Sequence, residues 1–367
     1  MTEQVLPEGV RSARIEPLYE RVQHNRVSAA VFTVAFVLFT ALAVAIPVAL
    51  LAGLVAALWI VAGGGADAGG SAWQAVLIAG GAAFALALVG AVAWVAFRLS
   101  RPERLLLKTL RARVTNRGEL ADVKSVLKDM AIAAGFRHSP QLHVIEERRV
   151  NAFALGRSHD NAVIGVTTGF VERLTPDEQR AVFANLMARI CSLDVRVATA
   201  VSALVGPVWA ARDWDFKRAH ETSFEHREDP ETTAALALAK GGRAGAVPVV
   251  PWFIAQGIFV IVTEILSWWH QETAWTASEK ADAEGMLLLK DPRSMLSALG
   301  SVLDADNHVP TAGDAYSQLF YCWAGFGFAP EDDPEYRRVS RLREVLGAEG
   351  LAERPAPNLS RTTGALS

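Results

Sequence analysis

Four long apolar stretches divide the chain, and their lengths make different predictions. Val27–Ala62 runs for about 36 residues without a charge, or about 54 Å as a helix. That exceeds a hydrocarbon core, so this helix tilts, kinks near Pro47 or projects beyond the bilayer. Ser71–Phe97 is also uncharged and long enough to span. Val197–Ala211 is short and contains Pro207, while Ala246–Trp269 is long enough to cross but holds Glu264 and begins with Pro248 and Pro251. The first pair predicts two transmembrane helices. The second predicts either a crossing pair or a hairpin that partly enters the bilayer. A cleaved signal peptide fits the first block poorly, because about 26 residues of both charge signs precede it.

Outside these blocks the periodicity changes. Pro102–Val114 and Glu119–Gly135 read as helices, the second apolar at Leu120, Val123, Leu127 and Met130, with Gly135 as its stop. Three β-like runs follow: "QLHVIEE", "NAFALG" and "AVIGVTTG". In "TPDEQ", Thr175, Pro176 and Glu178 occupy the N-cap, N1 and N3 positions of a capping box, which opens a helix through residue 190. On that helix and just beyond, Glu178, Asn185, Arg189, Ser192 and Arg196 share one stripe, which reads as a solvated face. Further helices are expected around Glu272–Lys290, after Asp291-Pro292 and after Asp333-Pro334. Helices on a small sheet make an α+β membrane protein. Its expected organisation is a tail (1–26), two spans (27–97), a first domain part (98–196), the second apolar pair with its polar loop (197–269), a second domain part (270–353) and a disordered tail (354–367).

Charge sets the orientation. The turn "GGGADAGG" has no Lys or Arg, whereas Arg98, Arg101, Arg104, Lys108, Arg111, Arg113 and Arg117 follow the second span against Glu103 alone. The positive-inside rule puts the N-tail and the domain in the cytoplasm of a multi-pass plasma-membrane protein. The basic run is expected to meet anionic lipid. A net charge of −3 argues against nucleic acid, and Cys191 and Cys322 are expected to be reduced thiols. Two decoys are set aside. His220 and His226 are six apart, about 240° round a helix, and Glu264 lies near the cytoplasmic end of its block, where it can reach water.

The order of these elements carries a resemblance. Two spans, a cytoplasmic helix, "NAFALGRS" and then "AVIGVTTGFVERLTPDEQRAVFANLMARI" resemble the membrane zinc endopeptidases that include HtpX and the CAAX prenyl endopeptidases. "SEKADAEGMLLLKDPRSMLSAL" looks like that family's Arg-Glu-x-x-Ala-Asp helix, and "DPEYRRVSRLREVL" like its His-Pro-x-x-x-Arg-Ile ending. The likeness covers about residues 27 to 347. It implies a metallopeptidase domain whose retained positions are Asn151, Ala152, Phe153, Gly156, Arg157 and Asp282. It also implies that the "NAF" and "VIGVTTG" strands offer an edge able to pair with extended peptide, with Val163, Ile164, Gly165, Val166 and Thr167 as the groove candidates.

The chemistry departs from the resemblance. Active members hold zinc with two histidines one helical turn apart and a later glutamate, and a glutamate beside the first histidine serves as general base. Here those positions are Asn185, Arg189, Ser278 and, for the base, Leu186, and no His-Glu-x-x-His occurs anywhere in the chain. The histidine of the terminal motif is Asp333. A cation about 4 Å from a divalent ion is repelled by roughly 8 kcal/mol at an effective dielectric near 20, and arginine does not deprotonate. No cofactor is therefore expected, and the domain reads as a pseudopeptidase acting in membrane-protein quality control. Its expected partners are the bilayer, extended segments of membrane proteins or an active protease. Two rivals stand beside this reading. One is an active enzyme recruiting Glu279, Asp282, Glu284 or His270 to a metal. The other is a sensor or assembly subunit whose groove is unused.

Overall fold

The computed structural model describes residues 18–61, 68–207, 277–310, 312, 314–323 and 334–346. Most of the second apolar pair, its polar loop with His220 and His226, Glu264 and His270 lie outside them.

Helices α1 (Leu18–Val61) and α2 (Ala68–Ser100) form an antiparallel pair, each long and apolar enough to cross a bilayer. α1 begins nine residues before the uncharged block and passes through Pro47 unbroken. Large side chains such as Leu77, Ile78, Leu86 and Val89 are exposed. A soluble protein would bury such a surface. The pair packs closely at Gly80, where an added Cβ would stand 3.2 Å from that of Ala49.

After a break at Arg101 the chain forms α3 (Pro102–Thr109), β1 (Arg113–Val114), α4 (Ala121–Ala133), β2 (Gln141–Ile145), β3 (Ala152–Leu155) and β4 (Val163–Thr167). α3 is shorter than the apolar pattern predicted. Arg111 takes a positive φ of 53°, which ends the helix, and Val114 pairs with His143 instead. Helices α5 (Thr168–Arg173), α6 (Pro176–Cys191) and α7 (Asp194–Leu204) follow. Beyond the undescribed segment come α8 (277–289), α9 (Pro292–Asp304), a 3₁₀ turn (Asp314–Leu319) and α10 (Pro334–Leu346). The capping box of α6 forms as read: the Thr175 side chain accepts from the Glu178 amide, and Glu178 accepts from the Thr175 amide.

The sheet has the order β1-β2-β4-β3, with β2 and β4 parallel and β3 antiparallel to β4. Both faces are covered, which is why its strands read as continuous apolar runs. Leu142, Ala152, Ala154, Ile164 and Val166 point into a core shared with α4, α6 and α9. Ile145, Phe153, Leu155 and Val163 point into a second core with Leu106, Leu110, Tyr316, Leu319, Phe320 and Trp323. Residues from both sides of the undescribed segment therefore share the same interior.

One half of the edge expectation fails here. β4, which carries Val163, Ile164, Gly165, Val166 and Thr167, has a neighbour on each side and is buried throughout. Both of its rows of backbone groups are spent in the sheet, so it offers no edge to a peptide. The edges of the sheet are β1 and β3; β3 carries the "NAF" residues of the expectation, and the chain itself covers part of it. Phe153 bridges antiparallel to Phe320, and the Tyr321 amide donates to the Ala152 carbonyl at 2.7 Å.

Candidate functional site

Of the positions singled out on α6, Asn185 meets Asp282. Asn185 Nδ2 donates to Asp282 Oδ1 at 2.7 Å, which sets this position of α6 against the later helix α8. Gly285 makes this approach possible. A Cβ there would lie 3.0 Å from the Asn185 amide nitrogen and 2.7 Å from Met295 Cε, so any side chain would hold α8 away from α6.

The stripe predicted to face solvent is buried. Asn185 is 1 % exposed, Arg189 5 %, Ser192 0 % and Glu178 7 %, and only Arg196 is half-buried. Periodicity marks a polar face, but distant residues cover it. Glu178 takes hydroxyl bonds from Ser297 and Ser301, both at 2.7 Å. Arg189 donates from one Nη to the Phe320 carbonyl at 2.9 Å and from the other to the Gln318 carbonyl at 2.6 Å. Leu186, at the general-base position, is fully buried among the apolar residues of the first core. Ser278 lies at the start of the described part of α8 and is half-buried.

Sequence reasoning missed the residue that organises the centre. Arg338 of α10 binds Asp282 with two nitrogens, Nε to Oδ2 at 2.7 Å and Nη2 to Oδ1 at 2.9 Å. Its Nη1 donates to Glu335 at 2.5 Å and to the Tyr321 carbonyl at 2.8 Å, and the guanidinium lies 5.0 Å from the Tyr321 ring centroid. The signal for it was the arginine of "DPEYRRV", which matches the terminal motif of the resemblance. The two buried guanidinium groups differ in kind. Burial opposes the charge on Arg338, but the carboxylates of Asp282 and Glu335 overcome this and hold its pKa well above the ordinary value. Burial pushes Arg189 down to about 10, because its hydrogen-bond partners are neutral carbonyls and Arg338 adds repulsion.

This donor set does not fit zinc. Both oxygens of Asp282 are engaged, by Arg338 and by Asn185. Of the other acids on α8, Glu279 is bonded to Arg341 and Glu284 to Arg21. Every described acid that a metal-dependent reading could recruit is thus held by an arginine. Arg189, which the resemblance sets at a ligand position, is a buried cation bonded to two carbonyls.

Asn151 explains its own retention. Its side chain donates to the Asn307 carbonyl at 2.8 Å and the Cys322 carbonyl at 2.6 Å and accepts from the Ala152 amide, while its carbonyl accepts from the Thr167 amide. It ties β3, β4 and residues 307 and 322 together. Phe153 lies against the bare face of Gly165, where a Cβ would come within 2.0 Å of the ring. The Gly156 amide donates to Thr199 of α7, and Arg157 bonds Glu103 and the Leu99 carbonyl. Gly156 thus fastens the end of β3 to α7, and Arg157 fastens the domain to α2 and α3.

A helix with an i, i+4 polar pair, a second helix bringing an acid onto it and a small mixed sheet alongside define a metallopeptidase-like domain. The profile of peptidase family M48 matches residues 118–344, and the chain belongs to that family. Among its relatives, a protein named Protease HtpX homolog 1 from Streptomyces coelicolor is 29% identical over 263 residues, covering 70% of this chain and 80% of the relative. A Protease HtpX homolog from Thermoanaerobacter pseudethanolicus is 25% identical over 257 residues, 69% of this chain and 80% of its own. Another, from Thermococcus sibiricus, is 24% identical over 259 residues, with 68% and 82% covered. No solved structure matches.

Proposed function

We propose that this chain is a non-catalytic, membrane-anchored HtpX-like protein in which a hydrogen-bonded clasp stands in place of the zinc centre. The observation that carries the reading is Arg189, whose buried guanidinium binds the carbonyls of Gln318 and Phe320 where the resemblance expects a histidine ligand. Leucine at position 186 has no group to take a proton from water. The relatives are named as proteases, whereas this chain contains no His-Glu-x-x-His.

The role that fits best is a scaffold or regulator in membrane-protein quality control, working through its outer surface on a membrane client or on an active protease. Peptide capture by edge pairing is less well supported than the sequence suggested. β4 is interior, and residues 320 and 321 occupy part of the β3 edge.

The test is metal content and cleavage of an unfolded substrate by the detergent-purified chain. Neither stoichiometric zinc nor cleavage is expected. Rebuilding the centre with Asn185→His, Leu186→Glu, Arg189→His and Ser278→Glu should bring zinc binding. About one tightly held zinc in the unaltered chain, lost on Asp282→Ala, would overturn the reading.

A further inference from the structure

Helix α3 carries positive side chains outward at the place where α2 ends. Pro102, Leu106 and Leu110 are buried, the two leucines in the second core, which fixes the rotation of the helix. Arg104 and Lys108 each lie two residues before one of these leucines, about 200° round the helix, and both are exposed. Arg101, just before the first turn, and Arg111, just after the last, are exposed as well. The only acid of α3, Glu103, is taken by Arg157 at 2.9 Å. Among the described residues none of the four cations is paired with a carboxylate, whereas Arg113, a little further on, binds Glu119 and Glu146.

The location gives this face a partner. Phe97 and Trp94 are the last large exposed apolar side chains of α2. Arg98, beside them, turns back onto the protein: its guanidinium lies 5.5 Å from the Trp94 ring centroid, and its Nε donates to the Ala203 carbonyl at 2.7 Å. α3 begins two residues after α2, and its 8 residues span about 12 Å. The whole helix thus stays close to the exit of α2, on the scale of the roughly 8 Å screening length at physiological salt.

We propose that Arg101, Arg104, Lys108 and Arg111 form a binding face for the phosphates of anionic phospholipid headgroups, and that this contact sets how the domain lies on the bilayer. The inference rests on α1 and α2 spanning the membrane. A helix pinned by Leu106 and Leu110 cannot rotate its cations away, so they remain presented at the surface. Each basic residue near an anionic leaflet contributes about a fivefold factor in affinity.

The full chain is tested in nanodiscs holding equal amounts of phosphatidylglycerol and phosphatidylcholine, with the lipid retained through detergent washing counted by mass spectrometry. The expected result is retention of phosphatidylglycerol over phosphatidylcholine by at least about fivefold. Arg101→Gln, Arg104→Gln, Lys108→Gln and Arg111→Gln together should remove the preference. An equally neutralised control, Lys128→Gln, Arg137→Gln, Arg173→Gln and Arg293→Gln, should keep it. These side chains are exposed, so both variants should fold. Equal loss in both variants, no preference in the unaltered chain, or displacement of the lipid by inorganic phosphate overturns the lipid face. Alkaline carbonate extraction serves as a separate check. Release of the chain by carbonate overturns the spanning reading itself, whereas a chain that resists extraction but shows no lipid preference overturns only the face.

Discussion

At the scale of single residues, the two buried arginines make opposite predictions. Arg338 neutralises Asp282 and Glu335, so Arg338→Met strands two buried carboxylates and is expected to cost about 3–5 kcal/mol. Arg338→Lys should recover only part, because an ammonium cannot make the two-pronged contact with Asp282. Among the described residues, Arg189 has no carboxylate partner in direct contact. Arg189→Met removes a charge the fold disfavours and leaves two carbonyls short of a donor, for about 1–2 kcal/mol. Unfolding in denaturant, followed by circular dichroism, ranks the two. An Arg189 variant as damaging as the Arg338 variant would contradict the contrast drawn from their surroundings. Glu178 adds a pH dependence. Burial raises its pKa, but hydroxyl and amide donors led by Ser301 outweigh this and hold it below the ordinary value. A depressed carboxyl stabilises the fold above its ordinary pKa and loses that contribution as pH falls through the folded value. Glu178→Gln should therefore lower the unfolding midpoint at pH 7, and the difference should shrink on acidification toward pH 3.

Among the elements, the crossing of α6 and α8 depends on one glycine. Gly285→Ala places a methyl group 3.0 Å from the backbone of Asn185, and should cost about 1–3 kcal/mol by prising the helices apart. Adding Met295→Ala relieves the side-chain clash but not the backbone one, so rescue should be partial. Gly81→Ala is the control. It meets nothing within 4 Å and should be neutral or stabilising, as a helix-interior glycine usually is. Comparable losses at both sites would place the cost in general helix effects rather than in this crossing. The sheet reads the same way. Strands β2, β3 and β4 were visible as apolar runs near their true limits, whereas β1 was read as helix, and nothing in a run says which strand will lie inside. That depends on the order β1-β2-β4-β3, fixed by the parallel crossover from β2 to β4.

For the molecule as a whole, the membrane pair and the domain are joined at both ends of the hairpin. Arg21 at the foot of α1 binds Asp194 at 3.0 Å and also Glu284, while Asn25 donates to the Ser192 carbonyl at 2.8 Å. At the end of α2, Arg98 holds α7, and Arg157 reaches the Leu99 carbonyl. Phe32, Phe36, Val201, Leu204 and Val205 pack between them. The start of α1 and the end of α2 therefore sit on the domain side, with Ala68 at the far end of the pair. A cysteine introduced at Ala68 should be labelled from outside intact cells, and one at Leu120 should not. Labelling at residue 120 would reverse the topology.

The sequence alone determined what depends on neighbours along the chain. Uncharged length predicted α1 and α2, Thr175 and Glu178 predicted the start of α6, and Gly135, with its φ of +79°, predicted the end of α4. It also supplied the chemistry behind the proposed loss of zinc, since Asn185, Leu186, Arg189 and Ser278 carry neither imidazole nor carboxylate, a property of the side chains themselves. The tertiary structure decided what depends on residues far away. A polar stripe on a helix looks the same whether water or protein covers it. Here Asp282, Phe320 and Ser297, each about a hundred or more positions distant, replaced the water. Whether Arg189 was a surface charge or a buried clasp was settled by the fold, because burial is a property of the whole packed chain and not of the helix that carries it.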